Sequence, residues 1–231
     1  MVKACIGILT CPVNKARFNR FMKIHEKWFK DNNLTYFVIQ SDPLLLNSGK
    51  ESRIDGNNFY CACQEAYEVL AHKLIIFYSY IFENTDFEFV LKFDDGCLID
   101  QKSVLSIVNQ QSLEYHYIGS LMKPTTNSCH WGKCKNTKLN RQKLDFKHNF
   151  DKLDNINDLD RQKLDNITTI EYAGGGYGYG LSRHALELIA KYKKHILSLE
   201  LSYEDVLFGQ IMYLENIKAN KYVVGKYHMV K

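Results

Sequence analysis

Three short apolar runs organise the first half of the chain: Lys3–Thr10, Leu34–Gln40 and Phe87–Phe93. Each is rich in β-branched or aromatic residues and bounded by polar or turn residues, the pattern of a buried strand. Helical spacing fills the gaps between them. Lys15–Lys30 follows turn and cap signals at Pro12 and Asn14 and sets Phe18, Phe21, Met22 and Trp28 on or near one face. Ser41–Asn58, with Pro43, Gly49 and Gly56, reads as a polar loop, and Phe59–Phe82 as a long helix. Further on, Asp100 caps a helix through Val108, Tyr115–Ser120 is a strand, Ser182–Tyr192 and Tyr203–Leu214 are helices, and Lys221–Val224 is a last strand. Strands that alternate with helices pair in parallel through helical crossovers, so the expectation is an α/β fold with a mostly parallel sheet and helices on both faces. Ligands of such sheets sit beyond the carboxyl ends of the strands. Thr10, Asp42 and the adjacent pair Asp94 and Asp95 stand at three such ends.

Composition narrows the function classes. With 231 residues and 45% hydrophobic content the chain can bury a substantial core. A net charge of +4 suits an anionic small molecule as well as nucleic acid, and no basic stripe with interleaved aromatics supports the latter. No stretch approaches the roughly 20 apolar residues of a membrane span, and the N-terminus lacks a small-residue cleavage site. The seven cysteines form no framework, which suits a reducing, cytoplasmic setting. Met122–Ile170 is polar and poorly periodic, with Arg-Gln-Lys-Leu-Asp at both 141–145 and 161–165, and reads as an inserted excursion in a single domain spanning residues 1–231.

Several motifs carry chemistry, each with a plainer reading beside it. Asp94-Asp95-Gly96 at a strand end suits Mg²⁺ or Mn²⁺ on a diphosphate, or an acidic turn. The run Tyr172–Arg183 holds five glycines from Gly174 to Gly180 and leads into a helix; it is a cradle for phosphate or sugar, or a tight corner. Glu204 and Asp205 open an apolar helix, where acids favour the helix dipole; one of them is also a candidate general base. Cys129, His130 and Cys134 lack the spacing of a structural zinc site, and Trp131 beside them offers a stacking surface. His228 is a lone histidine near the C-terminus, able to give a metal its nitrogen ligand.

The order of these motifs is more specific than any one of them. Ile-Leu-Thr-Cys-Pro with Arg17 and Trp28, then Lys-Phe-Asp-Asp-Gly, Tyr117–Gly119, the Gly-Tyr-Gly-Tyr-Gly-Leu-Ser run of Gly176–Ser182, Glu204–Val206 and a terminal histidine together resemble glycosyltransferase family 31, the β-1,3-galactosyltransferase and Fringe-like group. The resemblance implies a GT-A-like, Rossmann-type mixed sheet flanked by helices. It implies inverting transfer of a hexose or N-acetylhexosamine from a UDP-sugar donor to a glycan or glycoprotein hydroxyl. Asp205 would be the base and Glu204 its neighbour; Asp94, Asp95 and His228 would hold Mn²⁺ or Mg²⁺; Thr10, Arg17, Asp42, Lys73, Asp94, Gly176, Gly178, Tyr179 and Trp131 would meet substrate. The chain departs from the pattern at Gly96, which stands where the family's third aspartate usually binds the metal. Either Asp95 takes that duty, or the ion is weakly held, or cations such as Lys92, Arg183 or Lys226 partly replace it. A non-catalytic sugar-nucleotide or glycan-binding module is the alternative that this departure raises.

Overall fold

A computed structural model describes residues 2–112, 114–123, 150, 170–200 and 203–227. The chain begins with β1 (Ala4–Leu9), α1 (Lys15–Asp31), β2 (Thr35–Ser41) and a hairpin of β3 (Ser52–Asp55) and β4 (Asn58–Cys61). It continues through α2 (Leu70–Asn84), β5 (Phe89–Asp94), β6 (Cys97–Ile99), α3 (Gln101–Val108), β7 (Tyr117–Gly119) and β8 (Leu121–Met122). After the excursion come β9 (Tyr172–Ala173), β10 (Tyr179–Ser182), α4 (Arg183–Lys191), α5 (Lys193–Ser198), α6 (Glu204–Leu214), β11 (Asn220–Lys221) and β12 (Gly225–Tyr227). Among the described residues no helix is long and apolar enough to cross a membrane.

The main sheet has the order β11-β7-β10-β5-β1-β2-β4-β3. β1 pairs in parallel with β2 and β5, β2 with β4, and β7 with β11. β10 is antiparallel to both β5 and β7, and β3 to β4. The result is a mixed α/β sheet flanked by helices. It is less parallel than the strand–helix alternation suggests, because β10 enters it inside the glycine run.

Two further elements differ from the sequence reading. The expected loop over 41–58 contains β3, and the start of the expected helix at Phe59 is β4. Gly56, with φ of 57°, opens a two-residue turn between Asp55 and Asn58, the left-handed start that tight hairpins favour. Of the expected strand Lys221–Val224 only Lys221 lies in one, at the end of β11, and β12 follows at Gly225 and pairs with β6 outside the main sheet.

Alternation along the strands sends side chains to two cores. Phe89, Leu91 and Phe93 of β5 join Ile6 and Ile8 of β1 against Phe21 and Phe29 of α1 and Val104 and Ile107 of α3. On the opposite face, Val90 joins Phe77 and Tyr78 of α2, Leu186 and Ile189 of α4, and Phe208 and Ile211 of α6. Burying each such side chain contributes about 1.5–3 kcal/mol. β1 has no side chain at Gly7, where a Cβ would lie 2.9 Å from both Ile39 and Phe77, so α2 presses directly on the strand.

The buried stripe of α1 is Phe21, His25 and Phe29, with a ring from His25 filling an otherwise aromatic row. Neither His25 nitrogen has a hydrogen-bond partner among the described residues, and burial pushes its pKa down to about 4. The folded state therefore resists a proton that the unfolded chain takes up below about pH 6.5. Stability is full above that value and is lost as pH falls toward 4, by about 2–3 kcal/mol at pH 4.5. Urea denaturation at pH 7.5 and 4.5 should show this loss, and His25→Leu should remove most of it. An equal acid loss in that variant would assign the effect to other groups.

Candidate active site

The site grows from the end of β5. Residue 92 faces the same core as Val90, yet it is a lysine, and its side chain is 1% exposed. Lys92 Nζ donates to Glu204 Oε1, forms an ion pair with Asp94 Oδ1 at 2.6 Å, and reaches Gly175 O at 3.4 Å. It also stands over the Tyr179 ring, 5.3 Å from its centroid. An ammonium group in a core needs such partners, because an unpaired buried charge costs several kcal/mol.

Glu204 and Asp205 form the first turn of α6. Acids there are favoured by the positive end of the helix dipole. Asp205 accepts from its neighbour Val206 N at Oδ1 and from Gly175 N at Oδ2, both at 2.9 Å. Gly175 thus joins the two halves of the cluster: its amide holds Asp205 and its carbonyl meets Lys92. It must be glycine for a packing reason, since a Cβ there would lie 2.5 Å from Glu204 Oε1. Its neighbours are filled in the same way. A Cβ on Gly174 would meet Met122 Cγ at 2.8 Å, and one on Gly176 would meet Tyr227 Cδ2 at 3.0 Å. Within the glycine run only Gly178 has a positive φ, 77°, so close approach explains most of it.

A second network surrounds Asp95, which is 2% exposed. Its Oδ2 accepts from Thr10 Oγ1 at 2.6 Å, and its Oδ1 accepts from Arg17 Nε at 2.6 Å and pairs with Arg17 Nη2. Thr10 in turn offers its carbonyl to Lys73 Nζ at 3.1 Å, and Lys73 is paired with Glu65 at 2.8 Å. A Cβ on Gly96 would lie 3.6 Å from Arg17 Cδ and Nε, so the Arg17 side chain lies over this glycine.

Burial is the leading influence on the acids. It pushes Glu204 up, although Lys92 pulls the other way. It also raises Asp205, against the Gly175 amide and Lys92, and raises Asp95, against Thr10 and Arg17. For Lys92 burial alone would lower the pKa, but Asp94 and Glu204 reverse this and hold it protonated. Glu204 Oε2 is buried without a partner among the described residues.

The structure brings Asp94, Asp95, Glu204, Asp205, Thr10, Arg17 and Lys73 into these two networks, joined through the adjacent residues 94 and 95. Other sequence candidates are placed differently. Asp42 ends β2, two strands from β5 and so about 10 Å away in the sheet plane; it pairs with Arg53 at 3.5 Å and caps Leu44. Tyr179 is 1% exposed and hydrogen-bonds Tyr78 at 2.8 Å, so it supports Lys92 from the core and presents no face to a ligand. Lys73 is equally enclosed, and it too acts through Thr10. Gly178 packs on Phe93, where a Cβ would stand 2.5 Å from the ring. Gly176 lies beneath Tyr227. Trp131 and His228, with Cys129, His130 and Cys134, lie outside the described residues.

Two of the substitute cations are already committed. Lys92 is spent on Glu204 and Asp94, and Arg183 donates to the carbonyls of Phe82, Thr85 and Phe87 at the opposite end of the neighbouring strand. Sequence reasoning did not identify Lys92 as the centre of the acidic cluster, nor Gly175 as the group that orients Asp205. A lysine flanked by Leu91 and Phe93 was the available signal, since lysine is almost never fully buried without a partner.

Among solved structures, a glycosyltransferase involved in the glycosylation of the major capsid of PBCV-1 is similar to this chain at 9% identity and a TM-score of 0.45, over 95% of this chain and 82% of the other. A likeness that loose transfers no detail. No curated protein sequence matches. The model of the galactosyltransferase family matches residues 26–222, which spans β2 to β11 and includes the acidic pair, the glycine run and the start of α6. The chain belongs to the galactosyltransferase family and is, by that membership, a glycosyltransferase.

Proposed function

We propose that the protein is a GT-A-type transferase of the β-1,3-galactosyltransferase and Fringe-like kind, moving a hexose or N-acetylhexosamine from a UDP-sugar to a hydroxyl of a glycan or glycoprotein with inversion. One observation carries the reading: Asp205 is held by two amides at the mouth of α6, beside the strand end that bears Asp94 and Asp95. The two bonds hold one oxygen each and fix the carboxylate without neutralising it. The acceptor hydroxyl gives its proton to Asp205 as its oxygen bonds to the anomeric carbon. The bond from that carbon to the diphosphate breaks on the far side, and UDP departs with the electron pair. General base assistance of this kind contributes about 10²–10⁴ in rate.

The acidic site also bears on a divalent ion. Among the described residues no three His, Cys, Asp or Glu side chains group to hold a metal. Asp95 is less available than Asp94, because each of its oxygens already accepts from Thr10 or Arg17. Asp94 does fit: Oδ1 meets Lys92, and Oδ2 has no protein partner among the described residues. The carboxyl groups of Asp94, Asp95, Glu204 and Asp205 outnumber Lys92 and Arg17, so a diphosphate here calls for added positive charge. This donor set suits Mg²⁺ or Mn²⁺ shared with the donor's phosphates, the usual habit of Mg²⁺, with Asp94 as its protein ligand and His228 as a candidate beyond the described residues. When bound, such an ion offsets negative charge on the departing diphosphate. Arg17, paired with Asp95 through Nε and Nη2, stays partly exposed and is a candidate to meet the same anion.

Thermal unfolding with UDP-, GDP- and dTDP-sugars tests the donor, since a ligand of the folded state raises its stability. UDP-sugars with Mn²⁺ should raise the melting temperature by several degrees, and a chelator should remove most of the shift. Equal shifts with chelator and Mn²⁺ would eliminate the ion. Stabilisation by another nucleotide in place of UDP would eliminate the proposed donor.

A further inference from the structure

Among the described residues the main sheet ends at β3, far from the acidic cluster, and the free edge of that strand carries a pattern of its own. Asp55 stands opposite Asn58 at the hairpin turn, and Ala62 N donates to Glu51 O at 2.8 Å where the hairpin opens. Antiparallel ladders alternate, so residues 51, 53 and 55 spend their amides and carbonyls on β4, while those of Ser52 and Ile54 turn outward. The side chains divide as well. Ile54 stands opposite Phe59, which belongs to the core under α2, so it lies on the α2 face; it is 40% exposed. On that side a cavity of about 310 Å³ opens beneath the strand, lined in part by Ser52, Ile76 and Tyr80. Arg53 and Asp55 share the other face, and the Asp55 side chain is 74% exposed.

Open strand edges pair readily with other strands, and charged side chains along them normally discourage it. On β3 the charges discriminate instead. A second β3 laid antiparallel, with Ile54 opposite Ile54, sets Arg53 of each copy across from Asp55 of the other. The stretch Arg53-Ile54-Asp55 is thus complementary to itself, and a two-fold axis at Ile54 generates both ion pairs at once. The two isoleucines exchange a pair of backbone hydrogen bonds. The flanking charged pairs are then of the non-hydrogen-bonded kind, in which side chains approach most closely. Within one chain the acids hold Arg53 only loosely, at 3.5 Å from Asp42 and 4.0 Å from Asp55, while its guanidinium rests 4.2 Å above the Tyr60 ring. An unrelated strand meets a cation and an anion that it does not match. We infer that β3 is the interface of a two-fold dimer of this chain, in which the main sheets of two copies join edge to edge. The inference is independent of the transferase reading.

Sedimentation velocity over a range of concentrations tests it, with circular dichroism to confirm that each variant is folded. Wild type should associate to twice the mass of one chain, and more weakly at high salt. Arg53→Asp and Asp55→Arg each set like charges opposite one another at both symmetric positions, so each should raise the dimer Kd about tenfold or more. An equal mixture of these two variants restores opposite charges and should recover the wild-type affinity, as should the double variant alone. Ile54→Pro removes an amide that β4 does not use, so the hairpin keeps its bonds while the dimer is lost. A wild type that stays monomeric would overturn the inference and leave the edge to an extended segment of some other chain. A dimer indifferent to the charge exchanges and to the proline would place the interface elsewhere. Folded single variants that lose the dimer and do not recover it on mixing would show that Arg53 and Asp55 act within one chain. Should a charge variant fail to fold, the proline variant decides, and a dimer that survives it overturns the inference.

Discussion

Asp205→Asn is expected to lower transfer by about 10²–10⁴ while the variant binds UDP almost as wild type does. The substitution retains the shape of the side chain and an oxygen for the Gly175 amide, but removes the basic lone pair that takes up the acceptor proton. Single-turnover rates report the first part and calorimetric UDP titration the second. A variant that turns over at the wild-type rate would end the base assignment; one that loses UDP binding as well would make Asp205 a group that holds the nucleotide. The pH profile supplies a second check. Burial raises the Asp205 pKa, and the reactive form is the deprotonated one, so the acid limb of turnover should lie above the ordinary aspartate range. That limb should disappear, along with the activity, in the asparagine variant.

Lys92→Met carries the largest expected effect on stability. Methionine fills similar volume but leaves Glu204 and Asp94 without the ammonium they share. Removing one partner from a buried ion pair costs about 3–5 kcal/mol. For a chain of this size each kcal/mol corresponds to about 2–4 °C, so the melting temperature should fall by about 6–20 °C. Adding Glu204→Gln should restore a good part of the loss, because the stranded carboxyl is then neutral from the start. Non-additivity in this double-mutant cycle is the signature of direct coupling, and strictly additive losses would show that Lys92 and Glu204 act separately. Lys92→Met should also slow transfer, since Gly175, which orients Asp205, would lose the contact at its carbonyl.

The sequence made the first half of the sheet legible because β1, β2 and β5 are continuous apolar runs and α1 has a clear face. Their observed limits differ from the expected ones by at most two residues. The β3–β4 hairpin was not legible in the same way. Asp55-Gly56 is a good turn signal, but the flanking segments are short and only half apolar, and they merge into the helical pattern that follows. β10 was hidden for a different reason. The glycines read as a cradle or a tight corner, whereas Gly180 lets Phe89 and Ile118 approach the strand and Gly178, just before it, makes room for Phe93. The candidate site divides along the same line. Acidic residues at strand and helix ends stand out in sequence, so Asp94, Asp95, Glu204 and Asp205 are legible there as candidates. Which of their oxygens remain open was not legible. It depends on partners 78 to 112 positions away, Arg17 on Asp95 and Lys92 on Glu204.

The closely fitted strip of Gly174, Gly175 and Gly176 limits how an enzyme on this frame can diversify. A side chain there would displace Met122, Glu204 or Tyr227, so the strip itself offers little room for tuning. If the strip lines the sugar site as proposed, new sugar preferences would have to be written into the residues that border it. Met122 and Tyr227, which border Gly174 and Gly176, would then be the economical positions to exchange, with the acidic centre left untouched.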